Sequence, residues 1–283
     1  MIHITKHEFE LLRKYIEEQC GILLDNNKTY LIENRLSNLV KEAQCKNFGE
    51  FYVKIKNDRR AYEIRDRMIE AITTNETLWF RDKYPYSALM NIILPAYYED
   101  MTTDKRSEVR IWSAGCASGQ EPYSIAITIL EFFRKISPEK NDKIEMISIL
   151  GTDISSTSLS QAMKAIYDDH TVKRGLLPGY LDRYFRKVGN HWAIETSVKQ
   201  LITFKQYNLQ DNPHRLGKFD VIFLRNVMIY FSDELKSKLL DRIRKMLNSK
   251  GYVFLGTGET VYGCSHHFDI VKHEGGILYQ LKV

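Results

Sequence analysis

The 283-residue sequence lacks the features that mark membrane and secreted proteins. It has no apolar run approaching about eighteen residues, so no membrane-spanning helix and no membrane insertion are predicted. Its opening, MIHITKHEFELLRKYIEEQC, carries charges throughout and has no continuous apolar segment, which argues against a secretory signal.

Cysteine is sparse and shows no metal-binding spacing. The four cysteines are far apart, with no CxxC pair and no Cys/His cluster, so no metal site is predicted. His266 and His267 are neighbours, which on a strand would point to opposite faces, and a polar loop is the simpler interpretation. Few cysteines in a chain of this length fit the reducing cytoplasm, where we expect the protein to act.

Charge selects no partner by itself. The formal net charge of +5 permits an acidic protein surface or nucleic acid as a partner without requiring either. No tail dense in Lys and Arg is present.

The hydrophobic pattern divides the chain into two parts. From Ile4 to about Ile72, apolar residues recur at spacings of three and four, which predicts a small helical domain over residues 1–73. A polar and aromatic linker is predicted over 74–95. From 96 to 283, short apolar strands alternate with amphipathic helices, which predicts an open, mostly parallel α/β sheet.

Several details of the α/β part follow from the same pattern. FDVIFLRNVMIYF is a nearly continuous apolar run typical of a central parallel strand. The helix SSTSLSQAMKAIY follows the second strand, the helix DELKSKLLDRIRKML is expected to close at Lys250-Gly251, and GGILYQLKV is expected as the last edge strand. Between about 170 and 203, the alternation is interrupted by a stretch that predicts a small inserted antiparallel β-subdomain.

A glycine turn follows the first predicted strand of the sheet. Gly115-Cys116-Ala117-Ser118-Gly119 has neither the GxGxxG of dinucleotide folds nor the GxxxxGK[ST] of phosphate loops, so NAD and ATP are disfavoured. Such a turn either brings a ligand close to the backbone or is only a tight connection.

Three polar residues near strand ends extend this site. Asp153 ends the second strand, where an acid can accept hydrogen bonds from ribose hydroxyls or cap a helix. Glu121 is either a partner for a cofactor ammonium or a stabiliser of the helix dipole. Asn208 is either a ligand of an adenine edge or a turn residue. Together they predict a nucleoside-type cofactor.

The motifs TTNETLWFR, WSAGCASGQEPYSIAI, GTDIS, YNL and FDVIFLRNVMIYF resemble the CheR-type chemotaxis protein-glutamate O-methyltransferases, in order and over nearly the whole chain. The resemblance implies a Rossmann-like class I methyltransferase sheet that uses S-adenosylmethionine and releases S-adenosylhomocysteine. It implies methyl transfer to glutamates on the cytoplasmic helical bundle of methyl-accepting chemotaxis receptors.

The resemblance also implies roles for particular residues. Arg81 and Tyr230 would act at the transferring methyl group. The cofactor would contact Asn75, Thr77, Arg81, Glu121, Asp153, Asn208, Leu209, Arg225 and Asn226. Plain alternatives are a surface cation for Arg81, a core aromatic for Tyr230, a helix cap for Thr77 and ordinary packing for Leu209.

Two departures from the family pattern bear on function. Gly256-Thr257-Gly258-Glu259 stands where the family has GHSE, which leaves the role of this loop open. Gln120 stands where a second Glu is common and is expected to face away from the site.

Partner recognition is expected to involve the N-terminal helices, through bases such as Arg35 and Lys41. The inserted stretch FRKVGNHWAIETSV is short and poor in glycine, so recognition independent of a C-terminal receptor pentapeptide is predicted. The protein is expected to be a monomer that does not bind nucleic acid.

Two rival functions are considered. One is a nucleic-acid methyltransferase, although RNVMIY stands where amino-methylating enzymes carry an Asn/Asp-Pro-Pro-aromatic motif, and no cysteine is placed as a cytosine C5 nucleophile. The other is a non-catalytic module that binds the cofactor in signalling.

Overall fold

Four α-helices and a short 3₁₀ turn (Arg59–Ala61) make up the N-terminal module of the computed structural model, which describes residues 2–136, 143–212, 216–261 and 263–282. The capping box of Thr5 and Glu8 starts the first helix, and Gly21, in the left-handed region at φ +79°, ends it. The apolar faces of the helices enclose their own core, as the spacing predicts. The helices are α1 (Lys6–Cys20), α2 (Thr29–Glu42), α3 (Phe48–Asn57) and α4 (Tyr62–Ile72).

An irregular segment, residues 73–83, leads from this module into a long helix. Helix α5 (Tyr84–Ala88) continues through a π-helical turn (Leu89–Ile93) into α6 (Leu94–Thr102). The linker boundary predicted at residue 95 therefore falls inside a helix. Pro95 is tolerated there because it occupies the first turn of α6, next to the π-helical turn.

The remaining described residues form a seven-stranded sheet, with helices between the strands, and a separate three-stranded sheet. The strands are β1 (Val109–Ala114), β2 (Ile147–Asp153), β3 (Ile166–Asp168), β4 (Phe185–Val188), β5 (His191–Ile194), β6 (Ile202–Gln206), β7 (Phe219–Leu224), β8 (Leu247–Leu255), β9 (Phe268–His273) and β10 (Gly276–Leu281). The helices are α7 (Gln120–Ile136), α8 (Ser156–Lys164), α9 (Asp169–Lys173), α10 (Tyr180–Tyr184), α11 (Thr196–Lys199) and α12 (Asp233–Met246).

The large sheet has the strand order β6-β2-β1-β7-β8-β10-β9. Its first five strands are parallel, and β10 pairs antiparallel with both β8 and β9. The five parallel strands follow the Rossmann order 3-2-1-4-5, so the predicted fold class is confirmed. All six residues of β7 are buried, as a central parallel strand requires.

The small sheet, in the order β3-β5-β4, is antiparallel and contains the predicted inserted strands. It begins at Ile166, before the predicted start near residue 170. Helix α8 ends at Lys164, because Ala165 adopts a left-handed conformation (φ 54°), and Ile166 and Tyr167 then pair with β5.

Two further expectations were wrong. GGILYQLKV is not at the edge, because β10 lies between β8 and β9, and β9 is the edge strand. Helix α12 ends at Met246 rather than at Lys250-Gly251, which lies within β8 beside an irregular register with β7. Backbone pairing with neighbouring strands decides both points, and such pairing leaves no local sequence signal.

Direct hydrogen bonds join the helical module to the sheet domain. Leu23 N–H donates to the Tyr230 carbonyl at 2.8 Å, and Ile22 forms an antiparallel bridge with Phe231. The Glu70 carboxylate on α4 accepts from Ser156 and Thr157 at the start of α8. Within the described ranges, none of the helices has the length and apolar character that crossing a bilayer requires.

Candidate functional site

One cavity lies at the carboxyl ends of β1, β2 and β7, where open α/β sheets bind ligands. Segments of both modules and the connection between them line it: the end of α1, residues 73–81, the glycine turn, and the segments after β2, β6 and β7. The cavity brings together all ten residues that the sequence assigned to a site: Asn75, Thr77, Arg81, Glu121, Asp153, Asn208, Leu209, Arg225, Asn226 and Tyr230.

The glycine turn forms one wall of the cavity, and its two glycines leave no room for a side chain. A Cβ at Gly115 would lie 2.5 Å from a methyl of Val227, and one at Gly119 would lie 2.8 Å from Cβ of Ala162. Both residues also have positive φ. The turn therefore packs closely beneath the segment that follows β7.

Asp153 holds this turn in place at the end of β2. Its Oδ2 accepts from Ala117 N–H at 2.8 Å, and its Oδ1 accepts from Ser155 N–H at 2.9 Å. The cap of α8 is Ser155, so the helix-cap alternative for Asp153 is wrong. Burial raises the pKa of Asp153, against the opposing effect of these N–H donors. Each oxygen retains a lone pair for a further donor, such as a ribose hydroxyl.

Both carboxylate oxygens of Glu121 bind other side chains of the protein. Its Oε1 accepts from Ser113 Oγ at 2.7 Å, and its Oε2 pairs with Arg225 Nη1 at 2.9 Å. A pairing with a cofactor ammonium would therefore share this carboxylate with Arg225. Gln120 lines an adjoining cavity, which shares Asn75, Glu76 and Thr77 with this one.

Arg225 connects the sheet to the Arg81 turn. Its Nη2 donates to the Arg81 carbonyl at 2.9 Å and to Asp82 Oδ2 at 2.6 Å. Burial acts against its charge, but Tyr86, Glu121 and Asp82 outweigh it, and the pKa of Arg225 is raised. Both Nη1 and Nη2 of the guanidinium hydrogen-bond to the protein, so Arg225 shapes the site as well as lining it.

Arg81 itself has a free side chain. Among the described residues, its guanidinium makes no hydrogen bond or ion pair, although it lines the cavity. A planar fork with five N–H donors and no internal partner is suited to an incoming carboxylate.

Asn208 joins the modules as well as lining the cavity. Its Nδ2 donates to the Gln19 carbonyl on α1 at 2.7 Å, and its Oδ1 accepts from Gln210 N–H. Beside it, Leu209 packs against the core between the sheet and α12. The structure thus gives Asn208 a second role that its sequence position does not indicate.

Asn226 and Tyr230 lie in the segment after β7. Asn226 has a positive φ of 58°, and its buried Oδ1 has no hydrogen-bond partner in the part of the chain that the structure describes. A buried acceptor without a donor is costly unless a ligand supplies one. A zwitterionic nucleoside cofactor such as S-adenosylmethionine would fit three groups of this cavity. They are the unpaired Asn226 Oδ1, the Arg81 guanidinium and the open lone pairs of Asp153.

Sequence reasoning missed several contributors. Cys20 and Ile22, which follow from the docking of α1, line the cavity without any motif. Glu259, in the loop of unclear role, accepts from the backbone of the segment that carries Asn226 and Tyr230. Within the described residues, no cluster of His, Cys, Asp and Glu that could hold a metal is found.

Arg35, expected to face a partner, instead serves the helical module. Its Nη1 donates to the carbonyls of Ala71, Ile72 and Thr73 at the end of α4, where a helix has unpaired acceptors. Lys41 is exposed and remains available.

Comparison with known proteins covers both modules. A family model described as CheR methyltransferase, all-alpha domain, matches residues 7–73, and one described as CheR methyltransferase, SAM binding domain, matches 75–277. Chemotaxis protein methyltransferase Cher2 of Pseudomonas putida is 40% identical over 277 residues, covering 97% of this chain and 98% of that protein. Chemotaxis protein methyltransferase 1 of Pseudomonas aeruginosa is 40% identical over 279 residues, with the same coverage. The chemotaxis protein methyltransferase of Borreliella burgdorferi is 36% identical over 265 residues, 93% of this chain and 91% of that protein.

Proposed function

The chain belongs to the CheR methyltransferase family, whose sheet domain binds S-adenosylmethionine, and from this premise we propose the acceptor. We propose that the protein methylates the side-chain carboxylates of specific glutamates on the cytoplasmic helices of chemotaxis receptors. The products are a glutamyl methyl ester and S-adenosylhomocysteine, and the site of action is the cytoplasm.

The observation that carries this proposal is the absence of a free base in the cavity. Its lining, among the described residues, includes no His or Lys. Glu76 is paired with Arg174, Glu121 is paired with Arg225, and Asp153 accepts two backbone N–H groups. An acceptor that must lose a proton would find only these already engaged carboxylates as bases. A glutamate carboxylate is already ionised near neutral pH and needs none.

The chain's own residues then have a positioning task. When bound, S-adenosylmethionine supplies an electrophilic methyl group; a carboxylate oxygen forms the new C–O bond as the S–C bond breaks. Holding two reactants in line contributes roughly 7–11 kcal/mol in favourable intramolecular models.

Arg81 would orient the acceptor carboxylate without lowering its nucleophilicity. A fork bound to the attacking oxygen would stabilise its charge and slow its attack. Contact with the other carboxylate oxygen, or with the cofactor carboxylate, preserves nucleophilicity. Tyr230 would stand next to the transferring methyl, and Asn75 and Thr77, with Asn208 and Leu209, would hold the cofactor.

The test is labelled methyl transfer from S-adenosylmethionine to receptor-containing membranes, followed by alkaline treatment. Release of volatile labelled methanol identifies carboxyl methyl esters. Label that survives alkali would contradict the proposal and favour nitrogen or carbon acceptors, including those of nucleic acid. No transfer, with cofactor binding intact, would favour the non-catalytic module.

We further propose that receptor recognition does not need a C-terminal pentapeptide tether. Strands β4 and β5 are joined by only two residues, Gly189 and Asn190, so no long glycine-rich loop is present. The N-terminal helices, with exposed Lys41, would contact the receptor bundle, and the enzyme would act as a monomer without binding nucleic acid. Titration with such a pentapeptide should give no measurable heat, and micromolar affinity would disprove this part.

A further inference from the structure

Glu259 carries an unusual concentration of backbone donors. Its Oε2 accepts from Gly256 N–H at 2.7 Å and from Asn226 N–H at 2.8 Å. Its Oε1 accepts from Val227 N–H at 3.1 Å and from Ile229 N–H at 3.2 Å. The residue is only 9% exposed. One buried carboxylate therefore satisfies four main-chain N–H groups.

Three of these donors belong to the segment that turns out of β7 into the cavity. Asn226 is in the left-handed region, and the short 3₁₀ turn that follows (Met228–Tyr230) uses the N–H groups of Tyr230 and Phe231 as donors. The N–H groups of the preceding residues therefore need acceptors from outside the segment, which Glu259 supplies. Gly256 allows the approach, because a Cβ there would lie 2.7 Å from Glu259 Oε2 and 2.8 Å from Asn226 N. The loop after β8 is thus shaped around the segment after β7.

We propose that Glu259 is a positioning residue for methyl transfer. By fixing the backbone of residues 226–229, it presents the unpaired Asn226 Oδ1 to the cofactor and places Tyr230 at the reacting end of the same cavity. The expected effect on cofactor binding rests on membership of the family alone. The expected effect on turnover rests on the proposed function.

The charge of Glu259 is essential to this role, because both of its oxygens act only as acceptors. A glutamine has one acceptor oxygen and one NH₂ group. Whichever way its amide is turned, the NH₂ would face two N–H donors. Glu259→Gln should therefore fail although it preserves size, whereas a residue that only fills space would tolerate the exchange.

The experiment compares Glu259→Gln with Glu234→Gln, which removes an exposed carboxylate on α12. We expect cooperative unfolding in both variants. In Glu259→Gln we expect S-adenosylhomocysteine affinity by calorimetry and kcat each to fall by about tenfold or more, the scale of a lost charge-assisted hydrogen bond. Wild-type affinity and kcat in Glu259→Gln would overturn the proposal.

A double-mutant cycle separates positioning from general destabilisation. If Glu259 acts through Tyr230, the fall in kcat caused by Glu259→Gln should be much smaller in a Tyr230→Phe background. An equal fall in kcat in both backgrounds would show that Glu259 does not act through Tyr230.

Gly256→Ala provides a second variant if Glu259→Gln does not fold. It keeps the carboxylate but crowds both Glu259 and Asn226, and should give the same combined loss of affinity and kcat. Wild-type behaviour of Gly256→Ala would count against the proposal. If the wild-type protein binds S-adenosylhomocysteine but forms no methyl ester, the proposed acceptor fails, while weakened binding in Glu259→Gln still supports the positioning of Asn226.

Discussion

Arg81 sits in a turn whose backbone is strained on both sides. Phe80, Asp82 and Lys83 all have φ between +48° and +65°, the left-handed region that non-glycine residues avoid. Such conformations cost of order 1–3 kcal/mol each and persist only where surrounding contacts fix them. Here Ser124 Oγ accepts from Phe80 N–H, and Arg225 donates to the Arg81 carbonyl and to the Asp82 carboxylate. These contacts fix the backbone of the turn without using the Arg81 side chain.

The first prediction concerns Arg81. Arg81→Ala should lower kcat by about 10²-fold, the scale of the loss when a reacting group is misplaced by about 1 Å. It should also weaken S-adenosylhomocysteine binding, because the fork contacts a carboxylate. Methyl-ester assays and calorimetry measure these effects, with Arg186→Ala on the exposed strand β4 as the matched control. Unchanged methylation in Arg81→Ala would remove Arg81 from the site.

The second prediction concerns Asp82, which acts on Arg81 through Arg225. Asp82→Asn keeps the shape but removes one of the two carboxylates on a buried guanidinium. We expect kcat to fall about tenfold and the free energy of unfolding to fall by about 1–2 kcal/mol, as for a lost charged hydrogen bond. Asp182→Asn, on α10, is the control. A kcat equal to that of the control would show that the turn is fixed without Asp82.

At the scale of elements, the contact between α4 and α8 joins the two modules. Glu70 accepts from Thr157 N–H and from the hydroxyls of Ser156 and Thr157, all at 2.9 Å. A carboxylate at a helix N-terminus also interacts favourably with the helix dipole. This contact, one of several between the modules, therefore depends on a single ionised side chain, that of Glu70 on α4.

The third prediction is a pH dependence of this docking. Partial burial acts to raise the pKa of Glu70, but its hydrogen bonds to Thr157 and Ser156 outweigh it and lower the pKa below its usual 4.5. The stabilisation is therefore present above pH 4.5 and is lost as pH falls through the lower folded-state value. Glu70→Gln should cost about 1 kcal/mol at pH 7.

That difference between Glu70→Gln and wild type should disappear as the pH is lowered in urea unfolding titrations. Asp66→Asn removes a negative charge from the same helix without this contact and is the control. A difference between Glu70→Gln and wild type that does not change with pH would contradict the ionic origin of the docking.

At the scale of the whole molecule, the cavity is shared between the modules. Cys20 and Ile22 come from the helical module, several of residues 73–81 from the connecting segment, and the rest from the sheet domain. Asn208 and Gln210 donate to the carbonyls of Gln19 and Glu17, so the wall of the cavity that Asn208 forms is attached to α1. Binding of a ligand should therefore stabilise both modules together.

The fourth prediction follows from this sharing. S-adenosylhomocysteine at one hundred times its Kd contributes about 2.7 kcal/mol to the folded state, which corresponds to roughly 4–5 °C in Tm for a protein of this size. In calorimetry, the helical module and the sheet domain should shift as one transition. Two transitions, of which only one moves with the ligand, would show that the helical module does not close the cavity.

The local pattern of the sequence was sufficient for much of the fold. Spacings of three and four residues predicted helices between Ile4 and Ile72, and short apolar runs followed by glycine or polar residues predicted the parallel strands. These signals are local, because a helix or a buried strand must place its apolar residues with a fixed period. The motifs around Arg81, Asp153 and Tyr230 named the residues that share one cavity, since the carboxyl ends of parallel strands meet at one edge.

Only the tertiary structure decided how these residues are used. The edge position of β9, the start of the small sheet at Ile166 and the end of α12 depend on which strands pair, and pairing has no local signature. Arg35 caps α4, and Glu259 binds four backbone N–H groups, through contacts between residues far apart in the chain. The sequence by itself determined which side chains are present at the strand ends, because periodicity acts over a few residues. The structure decided which of these side chains are paired and which, like Arg81, have no partner among the described residues. Pairing depends on which opposite charges and hydrogen-bonding groups the fold places beside each side chain.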